Sequence, residues 1–443
     1  MTYAQGNSNY RSLAAVPDTG FAPTSGPGPG WTATYYAGPA ASGTPLGSEV
    51  VTSLDVTSIP AIVTAAGVST WSVSYTATMT PQASGIDEFA LSAGAAASLS
   101  IGGRPVISYG PGTGSVFTGL VPVTAGRATV FEVDVTGLSA VIPATGPPRR
   151  GPLASVTWAP QENLLWAAAA RAARTADVAV VFASNYSAEG SDLQTLELPA
   201  DQDLLIQAVA RANPRTVVVL NTSGPVYLPW LRQVAGVFEA WYPGQQYGHS
   251  IAALLFGDVN PSGHLPETFP ADASQGVAHG GTVLTPNPQF PGNGTDVYYS
   301  EGIDVGYRYY DVHHQTPLFP FGYGLSYTTF SYRQLRLFPG PSRGQEIAQV
   351  TITNTGDRAG AEAAQLYLTD SASAGEPPYQ LKGFQKVMLA PGQSQVLTFP
   401  ISRRAMSYYQ AAGQRWVAAP GRYRVSIGSS ERDLALAGSF TAR

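Results

Sequence analysis

The hydrophobic pattern of this 443-residue chain changes period twice, and that limits its folds more than any single motif. From Trp31 to about Pro160, apolar and polar residues alternate, as in Trp31-Thr-Ala-Thr-Tyr-Tyr36, Thr70-Trp-Ser-Val-Ser-Tyr-Thr-Ala-Thr78 and Val130-Phe-Glu-Val-Asp-Val135. A period of two buries one face of a strand, so residues 31–160 read as a β-sandwich. From Gln161 the pattern becomes helical segments alternating with unbroken apolar runs, Asp177-Val-Ala-Val-Val-Phe-Ala-Ser184 and Thr216-Val-Val-Val-Leu-Asn221. Such runs are expected of a parallel sheet covered on both faces, a βαβ layer. The helix between them opens at Pro199 with Asp201 and Asp203 in its first turn and stops at Asn213-Pro214. Gly236–Tyr242 and the helix-like Gly248–Phe256 repeat the alternation. Beyond Tyr327 the period returns to two, in Ala348–Asn354, Ala363–Leu368, Gln395–Phe399 and Gly421–Ile427, which predicts an immunoglobulin-like sandwich of about 115 residues.

Composition agrees with a strand- and turn-rich chain. It is 12% charged, with 48 glycines and 36 prolines. Residues 7–30, ending in Gly26-Pro-Gly-Pro-Gly30, read as a linker, and 271–300 as a long loop. A net charge of −5 argues against a nucleic-acid or anionic-membrane surface. The two lysines, Lys382 and Lys386, among many arginines read as genomic bias of a bacterial chain. With no cysteine, disulfides, thiolate metal sites and Cys nucleophiles are excluded. No apolar run reaches the roughly 18 residues of a transmembrane helix. No signal peptide is visible, so the compartment stays open between cytoplasmic and secreted.

No nucleophile elbow, Walker loop or His-Glu-x-x-His run occurs, and the five histidines show no ligand spacing, so no metal or cofactor is implied. The acidic candidates are Glu189, Asp192, Glu197, Glu239, Asp258, Glu301 and Asp304, each with the ordinary alternative of a solvated charge or a cap. Glu189 stands out because Asn185-Tyr-Ser-Ala-Glu-Gly-Ser-Asp192 follows an apolar strand, and open α/β sheets keep their chemistry at carboxyl strand ends. A carboxyl group there can serve as a general acid, given a second catalytic group. Asp192 has the alternative of an Asx turn. Trp230, Trp241-Tyr242, Tyr298-Tyr299 and Tyr307-Arg-Tyr-Tyr310 suit sugar rings, whose C–H faces stack on aromatics; their alternative is core packing.

Four further runs occur in order: Glu189-Gly-Ser-Asp-Leu-Gln-Thr-Leu-Glu-Leu-Pro199, Ala212-Asn-Pro-Arg-Thr-Val-Val-Val-Leu220, Ala240-Trp-Tyr-Pro-Gly244 and Phe256-Gly-Asp-Val-Asn-Pro-Ser-Gly-His-Leu-Pro266. Together they resemble the second domain of glycoside hydrolase family 3, the β-glucosidase and β-xylosidase family. Phe319-Pro-Phe-Gly-Tyr-Gly-Leu-Ser-Tyr327 and Gln380-Leu-Lys-Gly-Phe384 resemble the family's closing fibronectin type III-like domain. The resemblance implies a remnant of the α/β domain and linker at 1–30, and a protective-antigen-type β-sandwich inserted at 31–160. It implies the rest of the α/β sandwich at 161–325 and the fibronectin-like sandwich at 326–443. Ser92-Ala-Gly-Ala-Ala-Ala97 stands where calcium-dependent versions of the inserted module carry paired aspartates, so calcium-bound lectin action is not expected.

By the same resemblance Glu189 is the general acid/base of a retaining β-glycosidase, and Asp192, Trp241 and Tyr242 are the substrate-binding candidates. Leu193 replaces the family's usual Arg and removes a cation beside Asp192. Family members carry their Asp nucleophile in a separate barrel domain, and no barrel is read in this chain. The expectation is an acid/base-bearing portion that hydrolyses β-linked glucosides, xylosides or aryl glycosides with a barrel partner chain or within a homo-oligomer. The alternatives are a non-catalytic carbohydrate-binding or scaffold protein, and an inert remnant whose exposed interface aggregates.

Overall fold

The protein is described here by a computed structural model covering residues 2–4, 21–52, 54, 59–82, 84–93, 96–109, 117–139, 154–159, 165–187, 196–199, 201–276 and 299–442. These residues form two compact units. One holds the described residues up to Asn221 together with Pro229–Glu239; the other holds Thr222–Leu228 and the described residues from Ala240 onward.

The first unit begins with ten strands: β1 (Phe21–Pro23), β2 (Trp31–Ala37), β3 (Pro45–Val51), β4 (Thr70–Met79), β5 (Gly85–Ala93), β6 (Ala96–Ile101), β7 (Arg104–Tyr109), β8 (Phe117–Val123), β9 (Thr129–Ser139) and β10 (Ala154–Ala159). One sheet runs β3-β2-β4-β9-β6-β7, with β1 paired to the end of β4; the other runs β10-β5-β8. The three period-two stretches read from the sequence are β2, β4 and β9. An aromatic chain joins the sheets. Phe131 of β9 lies 5.1 Å from Phe89 of β5 and meets Phe21 edge-on at 5.2 Å, while Phe21 stacks on Trp31 at 4.5 Å. Burying each such ring contributes about 1.5–3 kcal/mol.

Strand β1 therefore builds the core from within the stretch read as linker. Gly30 lets the chain turn from β1 into β2. Its φ is +120°, its N–H donates to the Phe21 carbonyl at 2.9 Å, and a β-carbon would stand 2.2 Å from the Val51 carbonyl oxygen. Only glycine fits that approach. A short helix, α1 (Ala61–Ala66), interrupts the β pattern. Its six residues are too few to give a readable helical period.

The same unit contains α2 (Leu165–Ala173), β11 (Ala179–Ser184), α3 (Gln202–Ala212), β12 (Thr216–Asn221) and β13 (Gly236–Glu239). The three strands are parallel in the order β11-β12-β13. Asn213 does more than stop α3. Its side-chain N–H group donates to the carbonyls of Ala173 and Ala176 at 3.1 and 2.8 Å, tying the end of α2 to the end of α3. Strand β12 has the expected burial, with Val218, Val219 and Leu220 at 0–1% exposure. The expectation of cover on both faces fails along β11. Ala179, Val181 and Ala183 are buried, but Val180 and Phe182 are 38% and 54% exposed, as is Val178 just before them at 51%. The apolar run recorded strand type correctly, but not how much of its outer face the chain itself covers.

The second unit opens with α4 (Tyr247–Phe256), closed by Gly257 in the left-handed region, whose N–H bonds the Leu254 carbonyl. Two irregular segments then zip together. Phe269 N–H donates to the Phe319 carbonyl at 2.9 Å, Leu265 N–H to the Tyr323 carbonyl at 2.8 Å, and Gly322 N–H to the Leu265 carbonyl at 2.8 Å. Gly322 has φ +80°, and its missing side chain leaves room for the Gln365 amide. This is the physical content of the Phe-Gly-Tyr-Gly run. After α5 (Tyr307–Val312) come β14 (Phe330–Pro339), β15 (Glu346–Asn354), β16 (Gly360–Thr369), β17 (Gln380–Leu389), β18 (Ser394–Ile401), β19 (Ser407–Gln410), β20 (Arg415–Ala418), β21 (Gly421–Gly428) and β22 (Leu436–Ala442). Antiparallel sheets β14-β15-β18 and β17-β16-β21-β22 enclose Val350, Ile352, Leu366, Leu368, Phe399 and Val425; β19 and β20 form a separate ribbon. All four strands predicted here lie within β15, β16, β18 and β21. Asn354, fully buried, holds the β14–β15 end by accepting from Thr328 Oγ1 at 2.7 Å and donating to the carbonyls of Arg358 and Leu389.

Candidate active site

Strand β11 ends at Ser184, and the parallel pairing continues one step further, with Asn185 N–H donating to the Asn221 carbonyl at 3.2 Å. Glu189, Asp192 and Leu193 lie just beyond, outside the described residues. The structure does define the two stems of their segment. Gln202, 3% exposed in the first turn of α3, accepts from Ser184 N–H at 2.7 Å. Its amide nitrogen donates to the Ser184 carbonyl at 2.7 Å and to the Pro199 carbonyl at 3.0 Å. One buried amide thus joins the strand's last residue to the far end of the loop.

The sequence did not mark Gln202. It drew attention to Asp203, next to it, as a first-turn charge. In the structure Asp203 accepts the Trp230 indole N–H at 2.6 Å. Burial pushes the Asp203 carboxyl up to about 6, with the indole hydrogen bond opposing the shift and Glu197 adding to it. Trp230 is fully buried, so it is a core residue and not a sugar platform. Tyr307 and Tyr310 are buried too, and Tyr309 stacks on His313 at 3.9 Å. For these aromatics packing is the correct reading.

Trp241 and Tyr242 follow directly on β13. Trp241 holds φ +51°, in the left-handed region that a bulky residue rarely occupies, and its ring lies 6.3 Å from Phe269. That backbone turn points the next residue outward, and Tyr242 is 50% exposed. The described residues do not bring Trp241 and Tyr242 together with Glu189 or Asp192, which lie outside them. Glu267, not singled out in the sequence, lies with Oε2 3.7 Å from where a β-carbon on Gly224 would stand, and burial pushes its carboxyl up. Among the described residues no group of three or more His, Cys, Asp or Glu side chains could hold a metal. No helix among them is long and apolar enough to cross a membrane.

Comparison with known proteins gives this arrangement its family. Residues 37–327 match the glycosyl hydrolase family 3 C-terminal domain, and residues 362–431 the fibronectin type III-like domain. The chain belongs to glycoside hydrolase family 3, of which it carries these two parts. It is 42% identical over 274 residues to thermostable beta-glucosidase B of Acetivibrio thermocellus, covering 60% of this chain and 35% of that protein. It is 33% identical over 470 residues to beta-glucosidase B of Emericella nidulans, covering 98% of this chain and 53% of that one. Among solved structures it resembles DesR, a beta-glucosidase from Streptomyces venezuelae in complex with D-glucose. The TM-score is 0.62 at 36% identity, over 83% of this chain and 46% of that chain. The beta-glucosidase from Kluyveromyces marxianus in complex with glucose gives a TM-score of 0.61 at 26% identity, over 99% and 53%. The chain thus spans about a third to a half of the length of these curated relatives.

Proposed function

We propose that this chain is the acid/base-bearing portion of a retaining β-glycosidase acting on β-linked glucosides, with Glu189 as the proton carrier. The observation that carries this reading is the Gln202 clamp. It closes the base of the Glu189 segment at the carboxyl end of a parallel strand, the position from which an α/β sheet presents a catalytic side chain. The beta-glucosidase relatives support the substrate class. Asp192, Trp241 and Tyr242 serve the substrate in this reading, Tyr242 by offering an exposed ring to a sugar face. The β-rich region ending at β10 is the inserted protective-antigen-type module.

In the retaining reaction a carboxylate nucleophile attacks the anomeric carbon while Glu189 donates its proton to the departing oxygen. Glu189 then removes a proton from the water that hydrolyses the glycosyl ester. The two carboxyl groups work at a separation of about 5–5.5 Å. In this reading the nucleophile is supplied by a family barrel domain. Mixing the chain with a family barrel domain should restore hydrolysis of an aryl β-glucoside. Glu189→Gln should lower the restored kcat by about 10²–10⁴-fold. Restored activity that survives Glu189→Gln unchanged overturns the assignment. Carbohydrate binding without turnover under every partner condition favours the second reading, a non-catalytic binding or scaffold protein.

A further inference from the structure

The second unit contains polar groups that its own packing does not satisfy. Asp370, at the end of β16, is 9% exposed, yet neither carboxylate oxygen has a hydrogen-bond partner among the described residues. The same holds for Thr369 Oγ1 and for Arg308 Nε on α5. Buried polar groups are nearly always paired, and several orphans close together require an occupant or ordered water. These groups are close: Asp370 interacts electrostatically with Lys382 and Glu376, and Lys382 with Arg308. Beside them opens a cavity of about 290 Å³ lined by Ile303, Val305, Arg308, Glu376, Pro377 and Gln380.

The wall is rigid. Gln380, 7% exposed, accepts from Lys382 Nζ at 2.9 Å and donates to Glu376 Oε2 at 3.1 Å. The Tyr307 hydroxyl accepts the Leu381 N–H at 3.0 Å, and the Arg308 guanidinium lies 5.3 Å from the Tyr307 ring centre. Ile303 and Val305, exposed by 55% and 46%, supply an apolar rim.

Charge decides what fits. The lining carries one cation, Arg308, one carboxyl group, Glu376, and the Gln380 amide, and Lys382 and Asp370 interact electrostatically with these charges. A metal ion would meet the cations and an anion would meet the carboxylates. A neutral hydroxyl both accepts from Arg308 and donates to Glu376, and the C–H face of a sugar suits the rim. A volume near 300 Å³ is at the small end of ligand pockets and suits one ring rather than a chain segment.

We propose that the second unit binds a single neutral sugar residue in the cavity framed by Arg308, Glu376 and Gln380. The proposal rests on the carbohydrate-active reading but not on Glu189. The test is calorimetric titration of the full chain with glucose, xylose and cellotriose, and in parallel with calcium chloride and sodium phosphate. At least one saccharide should bind, and its association constant should fall about tenfold or more in Arg308→Gln and Glu376→Gln, the loss expected for a hydrogen bond to a charged group. Val178→Lys, beside β11 in the first unit, should leave it unchanged. If Arg308→Gln loses its cooperative thermal transition, Glu376→Gln and the rim variant Ile303→Asp decide alone. Absence of saccharide binding at millimolar concentrations, binding indifferent to these variants, or binding lost only in Glu189→Gln overturns the site. So does calcium or phosphate binding that Glu376→Gln abolishes.

Discussion

Gln202 and the pair Asp311–Glu431 show how much single residues carry. Replacing Gln202 by Leu leaves the Ser184 N–H and carbonyl without their partner, at about 1–3 kcal/mol for each buried group. Chemical denaturation should show the first unit destabilised by about 2–5 kcal/mol, and barrel-restored activity should fall with it. Gln202→Glu keeps the acceptor and loses the donor, so it should lie between. In the second unit, Arg432 bonds Asp311 Oδ1 at 2.9 Å and approaches Glu431 Oε1 at 2.8 Å, and both carboxyl side chains are buried. Burial raises the Glu431 carboxyl to about 8, helped by its hydrogen bond to Asp311 and by that group's charge. Glu431 therefore keeps its proton in the fold and loses it in the unfolded chain above the ordinary carboxylate range. Its contribution is full below that range and is lost as pH rises towards about 8. The melting temperature of this unit should fall between pH 5 and 8, and Glu431→Gln, permanently neutral, should flatten that slope.

At the scale of elements, Gly30→Ala should unseat β1. The new methyl group meets the Val51 carbonyl in a conformation already unfavourable for alanine, and a loss of about 1–3 kcal/mol or more is expected in thermal or denaturant unfolding. Val178→Lys, on the exposed face beside β11, should cost under about 0.5 kcal/mol. It should also reduce self-association in light scattering if that face drives aggregation. These two residues mark what was legible in the sequence. Strand positions were readable because period two and unbroken apolar runs are local signals. Residues 21–23 were not, because three residues carry no period, and their strand character comes from pairing with Thr78 and its neighbours, far along the chain. The Gln202 clamp was hidden for the same reason, since an amide becomes a clamp only when β11 and α3 meet. Trp230 and Tyr307 looked like sugar platforms because sequence shows an aromatic ring without its burial. Family motifs make Glu189 the candidate, where strand position alone leaves it one acid among several.

For the molecule as a whole, each compact unit has its own core, the aromatic chain through Phe131 in one and the Val350–Val425 cluster in the other. Phe131→Ala should cost the first unit about 3–5 kcal/mol by leaving a cavity between its sheets. Fluorescence and calorimetry should show that loss in one transition while the pH-dependent transition of the second unit stays in place; a single shared shift would contradict independent cores. The Gln202 clamp has a further consequence, for how such a protein diversifies. Both stems of the Glu189 segment are fixed by one side chain, so what lies between them can lengthen, shorten or change composition without unravelling β11 or α3. A lineage could exchange this segment as a cassette, altering preference while inheriting the scaffold intact, and a protein engineer could graft a relative's loop between the same two anchor points.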